Sequence, residues 1–224
     1  MSEPGTGPKE LAGRRAAEYV EAGMRVGLGT GSTVHYTILA LGERKPDITC
    51  AATSERTREL ATQLGLRVLP PDEIGHLDLT LDGADEVDRQ LNLIKGGAGA
   101  HTREKIVASM ADRFIVVVDE SKLVEKLGAF GLPLEVLPFA PGIVGQRLLE
   151  LGATRIARRP ELSDNGNLLL DADFGTIEDP PALAMRLAEV PGLVEHGIFP
   201  AAMVERVIVS GEHGVREVVR DPGT

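Results

Sequence analysis

Cysteine, aromatic residues and metal-ligand clusters are all scarce in this chain of 224 residues, which has one cysteine, no tryptophan and 3% aromatic residues. Cys50 has no second cysteine with which to form an internal disulfide, and neither a CxxC motif nor a cysteine–histidine cluster of zinc spacing occurs. The five histidines form no HxxxH or HxH pair. A metal site is therefore unsupported, and we expect a reducing compartment.

Long apolar runs and excess positive charge are also missing. No apolar run is long enough to span a bilayer, and the first nine residues are polar and rich in glycine and proline, unlike a signal peptide. The formal net charge of -10 argues against binding to nucleic acid or to an anionic membrane, because concentrated positive charge holds such partners. We expect a soluble cytoplasmic protein in which local groups bind any anionic substrate.

Strand and helix patterns alternate through the first 130 residues. A helical apolar pattern over 10–22 comes first, and later segments favour helices that carry Ile38, Leu60 and Val107. Alternating strands and helices favour a mainly parallel sheet, so we expect a doubly wound, Rossmann-like α/β domain. Its predicted strands cover 24–28, 48–53, 66–69, 77–81 and 114–118.

The simple alternation of strand and helix patterns ends at a segment that contains two glycines and a proline, 128–133. The order then becomes βαββαβ, which predicts a smaller ferredoxin-like α+β domain with a hairpin turn at Asn165-Gly166. The tail, 206–219, reads as a hairpin that rejoins the first domain. We therefore expect a Rossmann-like domain at 1–130 and 204–224 and the ferredoxin-like domain at 131–203.

A glycine-rich turn between the first strand and the next helix is the first candidate site. Glycines let the backbone approach a ligand, and a helix N-terminus with nearby hydroxyl groups favours an anion. The turn has neither the Walker nor the GxGxxG spacing, and the alternative is an ordinary tight turn. The candidate residues are Thr30, Gly31, Ser32 and Thr33.

Two carboxylates follow the strand at 77–81, in the segment Asp82-Gly83-Ala84-Asp85. The carboxyl ends of strands form the ligand crevice of an open α/β sheet, so Asp82 and Asp85 are candidates for binding sugar hydroxyls or moving protons. The alternative is an Asx turn that caps a helix. Glu86 and Asp88 are expected to be solvated.

A third segment runs from Lys95 through Gly96, Gly97 and Ala98 to Glu104 at a helix start. A lysine, open backbone donors and a carboxylate within one connection suit an oxyanion, whereas the alternative for Glu104 is a surface charge that complements the helix dipole. His101 is expected to be partly exposed. Lys122, just beyond the strand at 114–118, is a candidate second cation.

In order and spacing, these four motifs resemble those of the A-type ribose-5-phosphate isomerases. The resemblance continues through Leu132–Val136, Asp164–Asn167 and Pro191–Val194, and so spans nearly the whole chain. It implies that Glu104 is the catalytic base, that the three loops and Lys122 bind substrate, and that no cofactor is needed. It also implies a homodimer or homotetramer whose active site lies in the sheet-bearing domain.

The implied activity is the interconversion of D-ribose 5-phosphate and D-ribulose 5-phosphate through an enediolate, in the non-oxidative pentose phosphate pathway. Lys95 and the glycine-loop N–H groups would stabilise the oxyanion, while Asp82 and Asp85 would bind hydroxyls and assist ring opening. The chain departs from the usual family pattern at Ala98-Gly99-Ala100-His101. Two alternatives stay open: a sugar-phosphate sensor that needs no Glu104, and an acyl or coenzyme A transferase with a glutamate nucleophile.

Overall fold

The computed structural model describes residues 7–220, and these residues form seven α-helices and fourteen strands. The helices are α1 (Pro8–Ala17), α2 (Val34–Arg44), α3 (Glu55–Gln63), α4 (Pro71–Ile74), α5 (His101–Ser109), α6 (Pro141–Glu150) and α7 (Pro180–Ala188). The strands are β1 (Arg25–Leu28), β2 (Thr49–Ala52), β3 (Arg67–Val68), β4 (Leu79–Asp82), β5 (Glu86–Val87), β6 (Leu93–Ile94), β7 (Phe114–Asp119), β8 (Leu132–Val136), β9 (Arg155–Leu162), β10 (Leu168–Asp173), β11 (Leu193–His196), β12 (Ile198–Phe199), β13 (Arg206–Gly211) and β14 (Gly214–Val219).

The largest sheet has seven strands in the order β14-β13-β7-β4-β1-β2-β3. Every neighbouring pair in it is parallel except the β13–β14 hairpin. Its interior strand β7 is buried along five of its six residues, as a continuous apolar run covered on both faces requires. The predicted parallel α/β sheet is confirmed, and the tail hairpin does join it.

Local signals explain where several of its helices begin and end. Ser54 caps α3 by accepting a hydrogen bond from the Thr57 N–H at 3.1 Å, and Gly65 follows the helix with φ +83°. The first helix is shorter than its predicted span of 10–22, because the chain turns after Ala17 and Arg44 donates to the carbonyl groups of Ala17 and Val20.

The predicted ferredoxin-like arrangement is also present. Strands β8, β9, β10 and β11 form an antiparallel sheet in the order β11-β8-β10-β9, with α6 and α7 as the two helical connections. Its core includes Leu134, Leu148, Leu170 and Leu187, all at most 5% exposed. Gly166, with φ +80°, occupies the turn between β9 and β10.

A third, three-stranded sheet of order β12-β6-β5 was not predicted. Each of its strands has only two residues, which is too short to produce an alternating pattern. The last strand of the predicted βαββαβ order, which we expect at 194–199, is divided at Gly197 between this sheet and β11. Gly197 donates to the Pro133 carbonyl at 2.8 Å and accepts from the Lys95 N–H at 2.8 Å, which leaves no room for a side chain.

The described chain clusters into two compact units. The first contains the seven-stranded sheet and comprises the residues up to Ala84, Arg103–Lys122 and those from Ala202; the second comprises Asp85–Thr102 and Leu123–Ala201. Compared with the predicted 131–203, the smaller unit also contains 85–102 and 123–130 and lacks 202–203. It includes 85–102 because β5 and β6 pair with each other and with β12. Across residues 7–220, no helix is long and apolar enough to cross a membrane.

Candidate active site

In the first unit, three segments leave the seven-stranded sheet along one edge. Strands β1, β4 and β7 are parallel neighbours, so the glycine turn after β1, Asp82 at the end of β4 and the segment after β7 lie side by side. Lys122 ends a short 3-10 helix that directly follows β7 and is partly buried. The sheet topology therefore gathers most of the predicted residues of this unit.

Asp82 ties the first two segments together. Its side chain is fully buried, and its Oδ1 accepts hydrogen bonds from the N–H groups of Thr30 at 3.0 Å and Gly83 at 2.7 Å. A Cβ at Gly29 would lie 2.0 Å from that oxygen, so only glycine fits there. The Asp82 carboxylate thus fixes the course of the glycine turn.

Four hydroxyl groups meet beneath the same turn. The Thr30 hydroxyl lies 2.8 Å from that of Thr53, 2.7 Å from that of Ser54 and 3.0 Å from that of Thr57, which donates to the Gly29 carbonyl at 2.9 Å. The side chain of Thr30 therefore faces the protein. Ser32, by contrast, is exposed, and Thr33 precedes the first residue of α2.

Lys9 also reaches this turn, which the sequence analysis missed. Its Nζ donates to Ser32 Oγ at 2.9 Å and lies 3.9 Å from a carboxylate oxygen of Asp119, three residues before Lys122. Lys9 is the second residue of α1 and is separated from the turn by more than twenty residues. A lone lysine on an amphipathic helix has no sequence signature of a ligand. The packing of α1 against α2, β7 and β13 brings it here.

Glu104 lies in the first turn of α5 and is 2% exposed, so the alternative of a surface charge is wrong. One turn later, Val107 packs under the sheet, where its carbonyl accepts from the Thr80 hydroxyl at 3.2 Å. The neighbouring Arg103 donates to Glu55, the first residue of α3, at 3.0 Å. In a parallel sheet the helices begin at the carboxyl edge of the strands, so this carboxylate belongs to that edge.

In the second unit, residues 95–99 form a tight turn. Lys95 is 2% exposed, with Nζ 5.3 Å from the centre of the Phe199 ring. The Gly97 N–H donates to Asp85 Oδ2 at 2.7 Å, and the Gly99 N–H donates to the Gly96 carbonyl at 2.9 Å. The structure thus brings Asp85 and the Lys95–Ala98 segment together.

The departure at 98–101 fits this turn. Gly96 and Gly99 have φ values of +106° and +80°, a region that favours glycine, so the shifted glycine occupies a position that needs one. His101 is fully buried rather than partly exposed, as its Nε2 lies 3.3 Å from the Glu195 carbonyl and its ring fills the space beside Gly96.

The expectation that Glu86 and Asp88 are solvated is wrong. Glu86 is 3% exposed and accepts from the N–H groups of Gly128 and Phe130 at 2.7 and 2.6 Å. Asp88 holds the turn to Asn92 through the N–H groups of Gln90 and Asn92. Backbone donors without a strand partner explain the burial of both carboxylates.

A further buried carboxylate, Glu135 of β8, holds the start of α5. It accepts from the Thr102 hydroxyl at 2.5 Å, and from Ser163, Asn165 and Asn167 at 2.8, 3.0 and 2.7 Å. Burial by itself raises the pKa of Glu135, but these four donors together lower it below its ordinary value. Among the described residues, no group of three or more His, Cys, Asp or Glu side chains is placed to hold a metal ion.

The fold and the loops define a class: an α/β protein in which a glycine turn and a buried carboxylate lie at the carboxyl edge of a mainly parallel sheet, where such proteins bind ligands. Comparisons with known proteins narrow this class. Residues 49–214 match the model of the ribose 5-phosphate isomerase A (phosphoriboisomerase A) family. A ribose-5-phosphate isomerase A from Rhodopseudomonas palustris (strain TIE-1) is 46% identical over 95% of this chain and 97% of its own.

Solved structures of ribose 5-phosphate isomerases superpose on this chain over nearly its whole length. The ribose 5-phosphate isomerase A of Methanocaldococcus jannaschii superposes with a TM-score of 0.89 at 40% identity, covering 94% of this chain and 97% of its own. A D-ribose-5-phosphate isomerase in complex with phospho-erythronic acid superposes with a TM-score of 0.91 at 38% identity, covering 95% and 97%. The chain belongs to the ribose 5-phosphate isomerase A family.

Proposed function

We propose that this chain interconverts D-ribose 5-phosphate and D-ribulose 5-phosphate, as an aldose–ketose isomerase of the non-oxidative pentose phosphate pathway. Membership of the family, with 46% identity over 95% of the chain, is the observation that carries the proposal. The related isomerase bound to phospho-erythronic acid supports a sugar-phosphate substrate, because that ligand carries a phosphate at one end and a carboxylate at the other.

Glu104 acts as the base. Isomerisation removes a proton from the carbon beside a carbonyl and returns it to the neighbouring carbon, so one base on one face can perform both transfers. The 2% exposure of Glu104 limits competition from water, and its place in the first turn of α5 fixes its direction. If Glu104 were instead the nucleophile of an acyl transferase, Asp82, Asp85 and both predicted lysines would have no function.

Lys95 and the turn that follows it stabilise the enediolate. A full positive charge and backbone N–H groups aimed at a developing oxyanion contribute most in a site of low dielectric constant. Asp85, which already orders this turn through the Gly97 N–H, binds substrate hydroxyls. Asp82 shares that role and assists ring opening while it holds the glycine turn.

The phosphate is bound by the backbone of Thr30 and Gly31, by Ser32 and Thr33, and by Lys122. We add Lys9 to this group, because its ammonium group already donates a hydrogen bond to the Ser32 hydroxyl. A helix N-terminus supplies about half a positive charge and each lysine supplies one, so the local field favours a dianion despite the net charge of -10.

The cellular location, the assembly and the cofactor requirement of the enzyme are proposed as well. We infer a cytoplasmic homodimer or homotetramer that works without a cofactor, from the family and from the scarcity of metal-ligand patterns in the sequence. The larger domain, at 1–130 and 204–224, would carry most of the catalytic residues, and the domain at 131–203 would contribute to assembly.

The test is an assay of purified protein with ribose 5-phosphate and no added metal or cofactor, comparing the wild type with Glu104→Gln. The substitution removes the base and keeps the shape, so we expect kcat to fall by about 10²–10⁴-fold while substrate binding changes by only a few-fold. Glu59→Gln, at an exposed position of α3, is the control and should keep full activity. Normal turnover by Glu104→Gln would assign the base to another residue, and an inactive wild type would refute the function.

A further inference from the structure

Arg159, on β9, holds the turn at 95–99 through hydrogen bonds to its backbone. Its Nη1 donates to the carbonyl oxygens of Gly96 and Gly97 at 2.9 and 3.1 Å. Its Nε and Nη2 donate to the two carboxylate oxygens of Asp171, on the paired strand β10, at 2.8 and 2.6 Å. The Arg159 side chain is only 16% exposed, so the guanidinium is fixed at four points.

These contacts determine where the neighbouring N–H groups point. The chain has no cis peptide bond among its described residues, and in a trans peptide the N–H and C=O groups point in opposite directions. The carbonyl of Gly96 faces Arg159, while the N–H of the same peptide donates to Asp85. The carbonyl of Gly97 faces Arg159 as well, so the N–H of the exposed Ala98 points away from the guanidinium.

We propose that Arg159, fixed by Asp171, is a positioning residue that aims the Ala98 N–H at the developing oxyanion of the substrate. This inference rests on the proposed function, in which the turn at 95–99 stabilises the enediolate. It adds a pair of residues from the ferredoxin-like sheet to the catalytic apparatus, although neither Arg159 nor Asp171 touches the reacting atoms.

The choice of side chain supports this role. Gly96 and Gly97 have no side chains that could restrict the turn, and a glycine backbone can adopt several conformations unless other groups hold it. The planar guanidinium can bind a carboxylate through two parallel hydrogen bonds and still donate to both carbonyl groups, whereas a lysine ammonium has no such geometry.

The experiment compares the wild type with Arg159→Met, Arg159→Lys and Asp171→Asn. Losing the direction of one oxyanion donor should cost less than losing the donor, so we expect kcat of Arg159→Met to fall about 10- to 100-fold with KM within a few-fold. Asp171→Asn, which weakens the clamp but keeps the arginine, should show the same pattern to a smaller degree, and Arg159→Lys should not restore kcat. Arg158→Met, at the adjacent exposed position of β9, is the control and should match the wild type.

Two inhibitors separate positioning from general damage. Phospho-erythronate presents a carboxylate as well as a phosphate, so its inhibition constant should rise in Arg159→Met in proportion to the loss of kcat. Inorganic phosphate occupies only the phosphate end, and its inhibition constant should not change. An unchanged kcat, or equal weakening of both inhibitors, would overturn the proposal. Wild-type activity on ribose 5-phosphate would stand in either case, so the proposed function is tested separately.

Discussion

Individual side chains at the proposed site divide into those that hold the backbone and those that face a ligand. Asp82 and Thr30 both hold the glycine turn, Asp82 through the Thr30 N–H and Thr30 through three hydroxyl contacts. Ser32 and Lys9 meet on the outer side of that turn. Binding of the phosphate should therefore depend on Ser32 and the lysines more than on the Thr30 hydroxyl.

Replacing Lys9 or Lys122 with alanine tests this division. A charge-assisted hydrogen bond contributes about 1.5–3 kcal/mol, so we expect kcat/KM for ribose 5-phosphate to fall about 10- to 100-fold in either variant. Residual turnover of unphosphorylated ribose should change little, because ribose lacks the anion that the lysines meet. Steady-state kinetics on both sugars measure this difference.

Lys126→Ala, at an exposed ion pair with Glu178, is the matched control and should leave both rates unchanged. Equal losses on ribose and ribose 5-phosphate in Lys122→Ala would place that lysine at the carbonyl end of the substrate. Its role would then be exchanged with the one proposed for Lys95.

Among the helices and strands, α5 depends on a contact remote in sequence. Glu135 accepts a hydrogen bond from the hydroxyl of Thr102, the second residue of α5, so its carboxylate holds the start of this helix. Glu135→Gln should lower the free energy of unfolding at pH 7 by about 1–3 kcal/mol, because an amide group would face the donors of Asn165 and Asn167.

The pH dependence of this loss has a definite sign. The pKa of Glu135 is lowered in the folded protein, so its carboxylate stabilises the fold above the unfolded pKa of about 4.3, and this stabilisation is lost as the pH falls through the folded pKa. Urea unfolding should show a larger difference between wild type and Glu135→Gln at pH 7 than at about pH 3. Glu161→Gln, exposed on β9, is the control. A difference that is equal at both pH values would contradict an ionised Glu135.

The elements also show which features a sequence can predict. The sequence predicted β7 because this strand is a continuous apolar run, and it predicted the βαββαβ order from the succession of helix, strand and turn patterns. It missed β5, β6 and β12, which have two residues each, and it placed Glu86 in solvent because backbone donors at Gly128 and Phe130 are distant in sequence. Motifs predicted Glu104 and the loops, whereas Lys9 and Arg159 depend on packing between segments that no local pattern connects.

At the scale of the whole molecule, the second unit exposes large apolar side chains that a lone chain would leave in water. Phe139 is 96% exposed and Ile143, four residues later, is 58% exposed. Exposed apolar clusters of this kind often mark interfaces between proteins.

Sedimentation or light scattering should therefore give two or four times the mass of one chain, and Phe139→Ser should shift the population toward the monomer without changing circular dichroism. Val215→Ser, at a partly exposed strand position of the first unit, is the control and should keep the wild-type mass. A wild-type monomer at micromolar concentration would refute the proposed assembly, whereas an unchanged oligomer in Phe139→Ser would place the interface on another surface.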